Sequence, residues 1–190
     1  MHARGKLLFA NAVLWQFSFP AAQLDVLGTE VNWQPRSEYQ PDSDAVMNFR
    51  RALCRQKPYC LLMNTDYSQF TPDLVERYFQ RCLFYGVWPG FFDEEAASKD
   101  PYWASANTWY DRDRPLFKKY IPLLQRLTAA GWQPLTYAAC DNSKILVERF
   151  GPEANGTVFL TLLNDSAEAQ RGTLAVDLKA LGLKQTASAL

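Results

Sequence analysis

The sequence predicts an α/β fold in which parallel β/α units are followed by a small antiparallel β portion, and three observations lead there. Three short apolar runs, Lys6 to Val13, Gln23 to Val31 and Pro58 to Asn64, are nearly continuous rather than alternating, as strands buried on both faces should be. Helix-period segments follow the second and third runs. Beyond Gly131 the pattern changes to short strands separated by turn residues.

Each element has its own signals. The first run is preceded by basic residues and reaches Ala21-Ala22 further on, which loosely resembles a secretory leader. Asn11 and Gln16 interrupt it, so it is read as a buried strand. The first helix takes Asp42 or Ser43 as its cap and places Ala45, Val46, Phe49 and Leu53 at helical spacing. The second opens on Thr71-Pro72, carries Leu74, Val75, Tyr78, Phe79, Cys82 and Leu83 on one face, and stops at Gly86. Trp88 to Arg114 reads as a long irregular stretch. Nine aromatics fall between Phe84 and Tyr110, so that stretch is expected to cover something apolar, plugging a sheet end or cementing an interface. A third helix runs from Pro115 to Gly131, with Pro122 removing a backbone donor inside it.

Residues 145 to 150, 157 to 163 and 173 to 178 then read as strands, with Asn155-Gly156 as a turn and Asn164 to Gly172 as a polar loop. The expected units are residues 1–131 and 132–190, the second close to the size at which an independent core becomes marginal.

Composition narrows the function. Twenty basic residues balance twenty acidic ones, which leaves no positive field for a phosphate backbone or an anionic membrane, so neither nucleic acid nor membrane is an expected partner. The four cysteines, Cys54, Cys60, Cys82 and Cys140, have no metal-type spacing, and one histidine in the chain disfavours zinc hydrolysis and Ser-His-Asp chemistry alike. No metal or cofactor is expected. Cys54, Cys60 and Cys82 read as small core residues. The cysteine usage fits a cytoplasmic or a secreted chain.

In a parallel β/α arrangement the carboxyl ends of the strands gather at one mouth, and Asn11, Glu30 and Asn64 to Asp66 would meet there. Glycosidic hydrolysis requires one carboxyl to protonate the leaving oxygen and another to attack or to activate water, roughly 5 to 9.5 Å apart. Glu30 and Asp66 are the best-placed catalytic pair, with Asp25 as the next candidate. Asn11 and Asn64 suit sugar hydroxyls, and Trp33 suits stacking on a pyranose face. The competing reading makes these carboxylates caps and loop anchors, more so for Asp66, which a turn follows. The acidic run Asp93 to Glu95 reads as a solvated loop.

The succession KLLFANAV, LDVLGTEVNW, KPYCLLMNTDY and LFYGVWPGFF, then YIPLLQRLTAAGWQPLTYA and VERFG, resembles the closing half of a β/α-barrel glycoside hydrolase with its appended β-sandwich. The endings VFLTLLNDS and GTLAVDLKALGL resemble the carboxyl-terminal sandwich of such enzymes. The resemblance covers roughly residues 5 to 183. It implies a partial barrel, the last three or so of eight strands, and a truncated β-sandwich, with the family's strand-end carboxylates on Glu30 and either Asp25 or Asp66. A full barrel takes about 250 residues, so the amino-terminal barrel half of a parent chain would be missing.

The start on a strand and the end at Gln185 to Leu190 lead to the expectation of a fragment cut at both sides, inactive alone. The expected partner is an oligosaccharide or glycoside. The alternatives are a non-catalytic carbohydrate-binding module and an interaction protein whose exposed sheet edge pairs with another chain.

Overall fold

A computed structural model of the 190-residue chain describes residues 2–11, 18–32, 39–93, 102–103, 108–164 and 166–183. Four parallel strands, β1 (Phe9–Ala10), β2 (Val26–Asn32), β3 (Tyr59–Thr65) and β4 (Trp88–Asp93), form one sheet in the order β1-β2-β3-β4. Helix α1 (Asp44–Cys54) links β2 to β3, α2 (Pro72–Tyr85) links β3 to β4, and α3 (Thr108–Ala130) follows β4. The remaining strands are antiparallel. β5 (Trp132–Gln133), β7 (Ile145–Phe150) and β8 (Phe159–Asn164) form one small sheet, and β6 (Ala138–Cys140) and β9 (Leu174–Val176) another. No described helix is long and apolar enough to cross a membrane.

The sheet has two unlike faces. Strand neighbours are level at Leu27 and Tyr59, Thr29 and Leu61, Val31 and Met63, so these side chains share one face by the two-residue period of the pleat. That face is buried against Met47 and Cys54 of α1 and Val75, Tyr78, Phe79 and Cys82 of α2. Tyr78 fixes α2 to two strands at once, its hydroxyl donating to the carbonyls of Leu61 (2.5 Å) and Gly90 (3.1 Å). Right-handed crossovers between successively adjacent strands put successive helices on the same side, which accounts for the one-sided burial.

The opposite face carries Phe9, Gly28, Glu30, Cys60, Leu62, Asn64, Trp88, Gly90 and Phe92, and none of them joins the buried core. Phe9 is 52% and Phe92 43% exposed. Bulky side chains lie across glycines of neighbouring strands here. A Cβ on Gly90 would stand 2.4 Å from Leu62 Cδ2, and one on Gly28 would stand 2.8 Å from Phe9 Cε2.

Several boundaries differ from expectation for identifiable reasons. β1 is described only at Phe9–Ala10, and residues 12–17 lie outside the described residues. The predicted second strand begins too early, because Ala21–Gln23 form a 3-10 turn after Pro20. β4 occupies the start of the stretch read as irregular. Its Pro89-Gly90 pair is a turn signal, and among the described residues β4 is the outermost strand of the sheet, paired on one side with β3. Helix α3 begins at Thr108 and runs through both Pro115 and Pro122. Cys54 and Cys82 are core residues as expected, whereas Cys60 is half-buried on the open face.

The antiparallel strands begin at Trp132 and are anchored to the helical side. Thr161 Oγ1 donates to the Phe84 carbonyl at 2.8 Å. The C-cap Gly86 is left-handed (φ 62°), and a Cβ there would meet Phe150 Cε1 at 2.4 Å, so glycine serves both the cap and the close approach of the fully buried Phe150 ring. Beside them, Trp132 Nε1 donates to Glu148 Oε2 at 2.6 Å, and the Arg51 guanidinium lies 5.8 Å from the Trp132 ring centroid.

Burial pushes the Glu148 carboxyl above its ordinary range despite the Trp132 donor and the Arg51 charge. A raised folded-state pKa means that the native chain holds the proton more tightly than the unfolded one. Stability from this group is therefore greatest below its unfolded value of about 4.3 and declines as pH rises through the folded value. Glu148→Gln keeps an oxygen for Trp132 and is expected to flatten that decline in denaturation midpoints measured from pH 4 to 8; an unchanged slope would contradict it.

Candidate functional site

The carboxyl ends of parallel strands are where backbone amides and loop residues converge, and here they carry a polar edge on an otherwise apolar open face. Glu30 stands near the end of β2, exposed, with Oε1 accepting from Asn11 Nδ2 at 2.8 Å. Asn11 follows β1 directly, so this bond joins the tips of neighbouring strands. Asn64 is level with Asn32 of β2 and Phe92 of β4. It is half-buried, and its Oδ1 has no hydrogen-bond partner among the described residues. A carboxylate, an amide committed to it and an amide oxygen with acceptor capacity left over thus share one face and one end of the sheet.

The other carboxylates do not join them. Asp25 precedes β2, and its Oδ2 accepts from the Leu8 amide at 2.7 Å, tying the lead-in of β1 to β2. It lies five positions before Glu30. Their side chains therefore point to opposite faces, displaced by about 16 Å along the strand at ordinary strand rise. Asp66 follows β3 and organises the turn behind it. Its Oδ1 accepts from the Ser68 amide (2.9 Å) and hydroxyl (2.6 Å), and Oδ2 from Gln69 Nε2 (2.9 Å). The Ser68 donors hold its carboxyl below the usual range, which suits a permanently ionised anchor and not a proton donor. Trp33 lies outside the described residues. Asp93 ends β4 level with Thr65.

Behind this edge sits a brace that sequence reading anticipated only as aromatic density. Tyr67, two residues past β3, donates its hydroxyl to the Met63 carbonyl (2.6 Å) and accepts from the Phe92 amide (3.0 Å), so one phenol locks the ends of β3 and β4 together. Tyr102 is buried, stacked on Phe91 at a 4.3 Å centroid distance, and donates to Asp113 Oδ2 at 3.1 Å. Arg112 binds both Asp113 oxygens and donates to the Tyr67 carbonyl at 3.1 Å. Trp103 Nε1 donates to the Phe91 carbonyl at 3.1 Å. The aromatics cover the helix-side end of β4, which is the packing role expected of them. Their contribution to the site is rigidity, since a positioned carboxylate is only as fixed as the strands beneath it.

Missed in the sequence was Phe92. Its place on the open face follows from β4, and β4 was hidden by Pro89-Gly90. No family model matches the chain, and neither a curated protein nor a solved structure matches it.

Asp66→Asn tests the anchoring role. The depressed pKa contributes stability above the unfolded carboxyl value, lost as pH falls through the lower folded value. The partly exposed setting screens it, so the variant is expected to lose about 1 kcal/mol or less at pH 7, and the loss is expected to vanish as pH falls through the lowered folded value. A loss that does not diminish as pH is lowered in urea titrations would contradict the ionised-anchor assignment.

Proposed function

We propose that this chain is a portion of a glycoside hydrolase, a part of a β/α barrel whose open sheet face belongs to the barrel lumen and whose substrate is an oligosaccharide or glycoside. The observation that carries the reading is the Asn11-Glu30 pair at the carboxyl end of the sheet, on the face that no described helix covers. Sequentially ordered parallel strands with helices on one side are the half-shell that barrel closure requires. The alternation of Leu62 over Gly90 and Phe9 over Gly28 fits interior packing by layers of unequal side chains.

Glu30 acts as general acid or as nucleophile, with Asn11 holding its carboxylate in place and Asn64 accepting from a sugar hydroxyl. Glycosidic cleavage takes two carboxylates, and neither Asp25 nor Asp66 stands free at this edge. In this reading the second carboxyl is supplied by further β/α units, since neither of these two described carboxylates offers it. The 190 residues alone are expected to give no turnover of aryl glycosides.

In a chain that includes those units, Glu30→Gln is expected to lower kcat by about 10² to 10⁴, the range for losing a positioned acid or base, while oligosaccharide binding persists. Unchanged turnover removes Glu30 from the chemistry. Turnover by the 190-residue chain itself would show that the second carboxyl lies within it.

A further inference from the structure

Away from the strand ends, a groove of about 800 Å³ lies between the Tyr39 to Pro41 segment, helix α2, and strand β8 with the loop behind it. Its size is that of a small-molecule site, and it sits where the parallel and antiparallel parts meet, a common place for one. Arg77, Gln80 and Arg81 line it from α2, with Leu162, Asn164 and Ser166 opposite.

The charge on this wall is one-sided. Arg77 and Arg81 are one helical turn apart and so share a face, and no aspartate or glutamate is among the described lining residues. Arg81 is structural: it is buried, its Nη2 donates to the Asp42 carbonyl at 2.5 Å, and its guanidinium lies 5.4 Å from the Tyr85 ring centroid. Arg77 differs. It is exposed and makes no hydrogen bond or ion pair among the described residues. Both guanidinium fields reach the Tyr39 phenol in the groove wall. Facing them, Leu163, on the same side of β8 as Thr161, and Pro41 add an apolar surface.

We infer that this groove binds a small organic anion, a carboxylate or phosphate ester on a ring-shaped body, with the oxyanion paired to Arg77, hydroxyls within reach of Gln80, and the body laid on Leu163 and Pro41. Guanidinium offers forked donors that match carboxylate and phosphate alike, so the head group is either of these two. The neutral Gln80 amide and the apolar wall favour a hydroxylated ring over a bare ion. The inference stands apart from Glu30 and does not depend on the glycosidase reading.

Isothermal titration of the 190-residue chain with glucuronate, glucose 6-phosphate, inorganic phosphate and glucose tests it. At least one of the two ring-bearing anions is expected to bind at millimolar or better affinity, more tightly than phosphate or glucose. Arg77→Gln should weaken that binding about tenfold, the usual worth of a charge-assisted pair, with thermal unfolding unchanged. Lys179→Gln, an exposed cation outside the groove, should leave it as it was. Equal binding of glucose, no binding of either ring anion at 10 mM, or an Arg77→Gln variant indistinguishable from the parent chain would each overturn the inference.

Discussion

Side chains alternate along the four parallel strands, and that alternation divides the sheet into a surface that must be buried and one that need not be. Leu27, Leu61, Met63 and Phe91 on the helix side lose nearly all contact with water, and removal of this apolar area is the main favourable contribution to the fold. Because the strands are added one beside the next, α1 and α2 compete for the same side and leave the other to Glu30, Asn64, Leu62 and Phe92. The polar edge is a consequence of this winding. Residues at even positions of β2 and β3 arrive on the open face together, and those near the carboxyl ends of the strands form its rim.

The second constraint is how the antiparallel part is held. β5 and β7 are short, yet Phe150 beneath Gly86 binds them to the end of α2, and the Arg51 guanidinium over the Trp132 ring binds them to α1. The small sheets therefore share burial with the larger part rather than supplying a core of their own, as their size requires. Burying Glu148 is costly unless hydrogen bonds accompany it, and the Trp132 indole offsets part of that cost. The same joint shapes the Arg77 groove, since β8 forms its far wall and is fastened through Thr161 to the last turn of α2.

Much of this was legible in the sequence, and the failures have physical causes. β2, β3, α1 and α2 are marked by continuous apolar runs and by caps at Ser43, Thr71-Pro72 and Gly86, all of which the structure uses as helix ends. β4 was hidden because proline and glycine report local backbone preference, and the outermost described strand carries both. β5 and β6 span two and three residues, too few to establish a period. At the candidate site, Glu30 and Asn11 could be placed at strand tips from residue order alone. Asp25 lies five positions before Glu30, ahead of β2, with its carboxylate on the Leu8 amide, a contact that residue order alone does not reveal. The Asp66 turn was visible as Ser68-Gln69, but its hydrogen bonds depend on the path of the chain beyond β3.

The two-faced sheet is tested most directly by comparing two adjacent leucines that a composition argument cannot distinguish. Leu61 is 5% exposed on the helix side and Leu62 is half-buried on the open side. Chemical denaturation should show Leu61→Ala losing about 2 to 5 kcal/mol, as for a packed core leucine, and Leu62→Ala losing less than half as much. Equal losses, or the larger loss at Leu62, would mean that both faces are buried alike and would leave Glu30 without an open face on which to act.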